Sequence, residues 1–140
     1  MKFFVCEDCG HVAFDKAPAE CPVCKSSKFR EQADAVKDSS LEGKEKHVPV
    51  ITVTAACGLA PDTCRDVHVK VGSITHPMQE DHWIQWIDVY VDRIFSARYS
   101  MLPKNMQPII SLHLKKEAAG KIQIIENCNK HGRWMAEAAL

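Results

Sequence analysis

The chain has 140 residues, 46% of them apolar and 26% charged, a composition that excludes wholesale disorder and predicts a soluble globular protein. Lysine plus arginine and aspartate plus glutamate each number 18, so the formal net charge is zero, and the broad basic surface of a nucleic-acid binder is not expected. No apolar run approaches the roughly 18 residues that cross a membrane, and the apolar cluster at 3–5 is too short for a signal peptide, so a cytoplasmic location is expected.

Two cysteine motifs come first in chain order. Cys6 and Cys9 are separated by two residues, and so are Cys21 and Cys24. In a chain without an export signal, such pairs predict metal ligands rather than disulfides, and four sulfurs aimed at one point suit iron or zinc. The segment has few apolar residues of its own, so metal binding must provide much of its folding free energy. We predict a small metal domain over residues 1–33.

A polar connector follows this domain. Residues 31–44 are rich in Glu, Gln, Asp, Lys, Ser and Ala and include no aromatic residue, which is typical of a solvated linker. We place the linker at 34–44, and a short helix near 31–37 is an alternative because these residues form helices readily.

The remainder, residues 45–140, has the pattern of an all-β domain. Apolar residues alternate with period two over 48–54, 67–71 and 110–114, which predicts strands. Residues 83–91 are apolar on both faces, as expected of a central strand, and 117–120 predict a hairpin turn. Short strands without crossover helices predict an antiparallel β-sandwich of immunoglobulin-like architecture.

Three clusters of possible metal ligands lie at the predicted strand ends and loops. They read Glu45-Lys46-His47-Val48-Pro49, then His76-Pro77-Met78 to His82-Trp83-Ile84, then Cys128-Asn129-Lys130-His131-Gly132. A β-sandwich gathers its loops at its two ends, where distant segments can converge on one ion.

These motifs, in this order, resemble the superoxide reductase family, which includes desulfoferrodoxin and neelaredoxin, over roughly residues 43–135. The resemblance implies reduction of superoxide to hydrogen peroxide at a mononuclear iron. It also implies an axial thiolate from Cys128, an open sixth position, and four equatorial imidazoles from His47, His76, His82 and His131. Imidazoles suit Fe(II), and a thiolate opposite the open position donates electron density toward a bound oxygen species.

Two charged residues beside His47 have roles that the resemblance implies. Glu45 is similar to the family's residue that closes the sixth position in the oxidised enzyme, and Lys46 is similar to the cation that lies over it. A lysine there can attract a small anion and deliver a proton. The alternative for both is an ordinary solvated loop charge.

The N-terminal motifs resemble the rubredoxin-like module found in rubrerythrins. Iron in that site would make it a one-electron relay, and zinc would make it structural. The pair Cys21-Pro22-Val23-Cys24 departs from desulfoferrodoxin, whose second ligand pair is two adjacent cysteines. The resemblance to desulfoferrodoxin therefore implies neither the family's small-domain fold nor its dimer contact for this chain. The family nevertheless implies rubredoxin or a similar carrier as electron donor, and we expect a homo-oligomer, a dimer or a tetramer.

Several other cysteines and histidines have simpler interpretations. His68 and His113 are expected to be surface or satisfied core residues, and His11 a loop residue. Cys57 and Cys64 are interpreted as small buried hydrophobic residues, with a redox pair or additional metal ligands as alternatives.

Two other functions compete with superoxide reduction. The same iron could support a dismutase-like activity that oxidises as well as reduces superoxide. A zinc-ribbon module on a sandwich, binding a protein partner without redox chemistry, belongs to another class; the balanced charge disfavours nucleic acid as its partner.

Overall fold

The computed structural model describes residues 1–140 and contains ten strands and one short helix. The elements in chain order are β1 (Phe3–Cys6), β2 (Val12–Phe14), β3 (Phe29–Glu31), α1 (Lys44–His47), β4 (Pro49–Val53), β5 (Cys64–Val71), β6 (Ile84–Val91), β7 (Ile94–Ser100), β8 (Ile109–Lys115), β9 (Lys121–Cys128) and β10 (Gly132–Ala139). None of its helical structure combines the length and hydrophobicity that crossing a membrane requires.

The N-terminal segment is a three-stranded antiparallel sheet in the order β2-β1-β3. Val5, Val12 and Phe14 are buried in it. The two cysteine motifs lie in the turns that leave β1 and precede β3. Gly10 has a φ of 78°, a conformation that residues with a Cβ adopt reluctantly, and it completes the first cysteine turn.

Two antiparallel sheets form the rest of the chain, in the orders β10-β9-β6-β7 and β4-β5-β8. The period-two pattern arises because alternate residues of a strand face opposite sides of its sheet. In β5, Val67, Val69 and Val71 are fully buried between the sheets, while His68 is exposed. The prediction of an antiparallel β-sandwich is confirmed.

The central position predicted for residues 83–91 is also confirmed, since β6 lies between β9 and β7. One face of β6 places Ile87 and Val89 in the sandwich core. The other face places Trp86 and Tyr90 against the N-terminal sheet, beside Phe14. The small N-terminal sheet therefore covers apolar surface that a free-standing sandwich would expose.

The predicted hairpin turn at 117–120 is wrong. β8 pairs with β5, whereas β9 pairs with β6 and β10, so residues 116–120 cross from one sheet to the other. Gly120, with a φ of 95°, approaches Asp92, whose carboxylate accepts the Lys121 N–H at 2.9 Å. A hairpin and a connection between two sheets use the same turn-forming residues, so the local sequence did not distinguish them.

The predicted connector does not form a helix at 31–37. Its Ala35 is buried, and Lys37 exchanges backbone hydrogen bonds with Arg133 and Met135 of β10 at 2.9 and 2.8 Å. The division of the chain into 1–33, 34–44 and 45–140 stays a prediction.

A buried polar cluster joins the two parts of the chain. Arg98 donates to the fully buried Asp88 at 2.6 and 2.9 Å and to the Cys9 carbonyl at 3.1 Å. Burial alone would lower the pKa of Arg98, but the hydrogen-bonded Asp88 carboxylate raises it overall. His11 lies in a loop, as predicted, and is buried with Nδ1 3.0 Å from the same carboxylate. The first cysteine turn is thereby held against the sandwich.

Candidate metal centre

Three segments bring the predicted iron ligands to one end of the sandwich. His47 ends α1, His76 and His82 lie in the connection from β5 to β6, and Cys128 and His131 flank the turn from β9 to β10. Each segment follows or precedes a strand, as the motif placement predicts.

Close backbone packing ties the His76 segment to the His47 helix. The Ile74 N–H donates to the Glu45 carbonyl at 2.8 Å. Gly72 has a φ of 76°, and a Cβ placed on it would meet the Glu45 carbonyl oxygen at 2.7 Å. Only glycine fits this position without moving one ligand segment away from the other.

The four imidazole rings form a closed cycle. The centroid distances between neighbouring rings are 4.9 Å for His47 and His76, 4.7 Å for His76 and His82, 5.2 Å for His82 and His131, and 4.9 Å for His131 and His47. Each ring has two neighbours, the order expected of four ligands arranged in a plane around one ion.

The donor atoms converge within this cycle. The ligand atoms of His47, His76, His131 and Cys128 all lie within 4.8 Å of one another, and the Cys128 Sγ is 3.6 Å from the His131 Nδ1. The Nε2 atoms of His76 and His82 are buried without a hydrogen-bond partner. Buried nitrogens are rarely left unpaired, so a bound metal ion accounts for both, and the five residues fit the predicted donor set.

The electrostatics favour neutral histidines. Burial, together with the neighbouring histidines, lowers the pKa of His47 and of His76 to about 4. The His76 Nδ1 is 2.8 Å from the Pro77 carbonyl oxygen, so the ring proton is assigned to Nδ1. Nε2 then carries no proton and is the atom that can bind the metal. The imidazoles are therefore ready to bind a cation at neutral pH.

The Cys128 thiol, unlike the histidines, is not in its metal-binding form at neutral pH. Burial raises the pKa of Cys128, and the backbone N–H groups of Lys130 and His131 partly offset that effect. Without a metal ion the thiol keeps its proton, and binding a cation must release it. The turn that presents the sulfur thus also supplies hydrogen bonds to its charged form.

Asn129 connects two of the ligand segments. Its side-chain oxygen accepts the Trp83 N–H at 2.9 Å, and its side-chain nitrogen donates to the Asp81 carbonyl at 3.0 Å. The His82 loop is thereby attached to the turn that carries Cys128 and His131.

Two further residues, Trp134 and Glu126, support His47. Trp134 stacks on the His47 ring at 4.8 Å with an interplanar angle of 11°. Glu126 is fully buried, with Oε1 3.9 Å from the His47 Nδ1. The sequence signal for Glu126 is the single carboxylate of the largely buried strand β9, two residues before Cys128.

Glu45 and Lys46 are both exposed in α1. Glu45 is not among the side chains whose ligand atoms converge; it lines a shallow groove with Val48 and Ser73. The positive charge of Lys46 contributes to lowering the pKa of His76 and of His82, so Lys46 interacts electrostatically with the four-histidine cycle. Their predicted roles stay predictions.

The four N-terminal cysteines form a second cluster. Their sulfurs lie within 4.8 Å of one another, with 3.5 Å between Cys6 and Cys24 and 3.7 Å between Cys9 and Cys21. Thiolates about 2.3 Å from a tetrahedral ion are separated by about 3.8 Å. The predicted four-sulfur site is therefore present.

Comparison with known proteins agrees with the histidine and cysteine cluster. The desulfoferrodoxin family model matches residues 39–137. The chain belongs to the desulfoferrodoxin family. It is 38% identical over 104 residues to a desulfoferrodoxin from Nitratidesulfovibrio vulgaris, covering 74% of this chain and 71% of the relative.

Two more proteins match most of the chain. A desulfoferrodoxin from Desulfarculus baarsii is 32% identical over 139 residues, covering 98% of this chain and 96% of the relative. The crystal structure of the superoxide reductase from Treponema pallidum superposes with a TM-score of 0.58 at 27% identity, covering 91% of this chain and 93% of that one. The histidine and cysteine centre is accordingly the family's iron site, and the four-cysteine site accompanies it.

Proposed function

We propose that the protein is a superoxide reductase, which converts superoxide to hydrogen peroxide with one electron and two protons. The observation that carries the proposal is the closed cycle of four imidazoles with the Cys128 sulfur beside it. Iron bound there supplies the electron and a Lewis-acidic position for the anion. His47, His76, His82, His131 and Cys128 would hold it, and Cys6, Cys9, Cys21 and Cys24 would hold a second iron or a zinc.

The residues around the cycle have distinct tasks in this proposal. Burial keeps His47 and His76 neutral by lowering their pKa, which leaves their nitrogens available to the metal. Lys46 attracts the superoxide anion by its charge and delivers a proton to the reduced product. Glu45, beside Lys46 in the exposed helix α1, would close the iron site in the oxidised protein.

The proposal also includes an electron donor, an oligomeric state and a cellular location. Its electrons come from rubredoxin or a similar small carrier, the protein works as a homo-oligomer, and it is located in the cytoplasm. An iron-loaded N-terminal site, held against the sandwich by Arg98 at the Cys9 carbonyl, would relay electrons, whereas zinc in that site would be structural.

Reaction stoichiometry tests the function. The reduced, iron-loaded protein should consume superoxide and form hydrogen peroxide without evolving oxygen, and turnover should stop when the reduced carrier is exhausted. Oxygen release from superoxide without an external reductant would instead favour the dismutase-like activity. Zinc as the only metal in both sites would favour a non-redox binding module.

The role of Lys46 has its own test. The variant Lys46→Ala should react with superoxide about 10-fold more slowly, with a weaker dependence on ionic strength, because a local steering charge is lost. Lys44→Ala is the matched control, since Lys44 is also exposed in the same helix. Equal rates and equal salt dependence in the two variants would contradict the assignment of Lys46.

A further inference from the structure

A third group of metal-binding side chains lies away from both described sites. It consists of Cys57, Cys64, Asp66 and His113, whose ligand atoms all lie within 4.8 Å of one another. Cys64 begins β5, while the segment carrying His76 follows the other end of that strand at Val71. A strand of this length spans about 25 Å, so the group is remote from the histidine cycle.

The sheet register brings three of these residues together. Asp66 of β5 is paired directly with His113 of β8, and Cys64 is two residues before Asp66. Residues two apart in a strand share a face. Because Val67 and Val69 fill the sandwich core, this is the opposite, outer face of the sheet.

The fourth residue comes from the loop between β4 and β5. The Asp66 N–H donates to the Ala56 carbonyl at 2.8 Å, and the Cys64 N–H donates to the Ala60 carbonyl at 3.0 Å. These bonds fold the loop back onto the start of β5. Cys57 is consequently buried, 4% exposed, with its sulfur directed at His113.

The distances match a four-coordinate ion. The His113 Nδ1 is 3.5 Å from the Cys57 sulfur and 3.4 Å from the Cys64 sulfur. Zinc bonds of about 2.3 Å to sulfur and about 2.0 Å to nitrogen, at tetrahedral angles, place the two donors about 3.5 Å apart. The agreement holds for both sulfurs.

The carboxylate gives an independent indication. The Asp66 Oδ1 is 2.8 Å from the His113 Nδ1, yet it is a buried oxygen without a hydrogen-bond partner. The two atoms are close, but their relative orientation is not that of a hydrogen bond. Two donors about 2.0 Å from a tetrahedral ion are about 3.3 Å apart, so the imidazole and the carboxylate would separate by only about 0.5 Å to bind one ion.

We propose that Cys57, Cys64, Asp66 and His113 form a third metal site, selective for a borderline-soft divalent cation such as Zn²⁺. Two sulfurs, one nitrogen and one oxygen fill the four positions that structural zinc prefers, so the site is closed and not catalytic. The bound ion fastens the loop from β4 to β5 onto β8. His113 is 49% exposed at the edge of a surface groove, which gives the ion access from solvent.

A metal titration of the full-length, iron-loaded protein tests the site. The thiols are kept reduced under anaerobic conditions, and Co²⁺ is added while its sulfur-to-metal and ligand-field absorption is recorded; Zn²⁺ then competes. We expect one additional equivalent of Co²⁺ with a tetrahedral spectrum, which Zn²⁺ displaces, and metal analysis showing that the iron is retained.

Two variants assign the ligands. Cys57→Ser and His113→Gln should each weaken binding of the additional ion by more than about 100-fold, because losing a direct ligand exceeds the loss from altering an outer partner. His68→Gln is the matched control: His68 is exposed on the same outer face of β5, hydrogen-bonded to Ser111 at 2.7 Å, and should bind as the wild type does. His113→Gln changes a half-exposed residue, so it remains informative if Cys57→Ser folds poorly.

Three results would overturn the proposal. The first is the absence of an additional equivalent, and the second is unchanged affinity in His113→Gln. The third is a Cys57–Cys64 disulfide, detected by mass spectrometry in protein purified anaerobically without thiol reagents. None of these results bears on superoxide reduction, so the two proposals stand or fall separately.

Discussion

Replacing Glu126 by glutamine should have opposite effects on the metal-free and the iron-loaded protein. The carboxylate is fully buried, and neither of its oxygens has a hydrogen-bond partner. Burial raises the pKa of Glu126 well above its usual range. A glutamine side chain has nearly the same volume but does not titrate, so the variant Glu126→Gln isolates the electrostatic role of the carboxyl group.

The metal-free effect follows from proton linkage. Above the usual glutamate pKa the unfolded chain loses the proton that the folded protein retains, so the wild type loses about 1.4 kcal/mol of stability per pH unit until the raised pKa of Glu126 is reached. Glu126→Gln avoids this loss. Denaturant unfolding of the two metal-free proteins between about pH 5 and about pH 8 should therefore show a difference that grows in favour of the variant.

In the iron-loaded protein, Glu126→Gln should be unfavourable, because it weakens iron binding. With a cation on the His47 ring, the Nδ1 proton faces Glu126 Oε1 across 3.9 Å, and an ionised carboxylate there makes the imidazole a stronger donor. Loss of the charge in Glu126→Gln should weaken iron binding about 10- to 100-fold, measured by competition with a chelator. Glu42→Gln, at an exposed position, is the control. A variant that is less stable without metal, or that binds iron as tightly as the wild type, would refute this reasoning.

Two further predictions concern the ligands themselves. Cys128→Ser should abolish the sulfur-to-iron charge-transfer absorption and most superoxide turnover; a variant that retains both would contradict the assignment of Cys128 as an iron ligand. Because the pKa values of His47 and His76 are lowered to about 4, the unfolded chain binds more protons than the folded one between about pH 6.5 and about pH 4. The metal-free protein should therefore lose stability as the pH falls through that window, by on the order of 3 kcal/mol per histidine, and His76→Gln should flatten the profile in urea unfolding.

The iron ligands were predictable because each belongs to a short motif at a strand end. His47, His76, His82 and the Cys128 turn needed no knowledge of which strands pair, since loops at one end of a sandwich converge in any pairing. The all-β fold followed equally from period-two alternation, which depends only on burial of one strand face.

Features that depend on pairing across the sheets were not predictable. Residues 117–120 have the composition of a hairpin turn, yet they connect two sheets. Asp66 and His113 meet only because β5 pairs with β8 in one register, so Cys57 and Cys64 gave no indication of their neighbours. Glu126 was missed for a related reason, because its proximity to His47 depends on packing between β9 and α1.

Hydrogen bonds between the ligand segments help to hold the iron site together. Asn129 ties the His82 loop to the Cys128 turn, and the Ile74 N–H ties the His76 segment to the carbonyl of Glu45 in α1. The donors are thus assembled by contacts that do not involve the metal, at the cost of burying ring nitrogens without partners. The chain's own packing therefore connects the ligand segments and contributes to the affinity of the site.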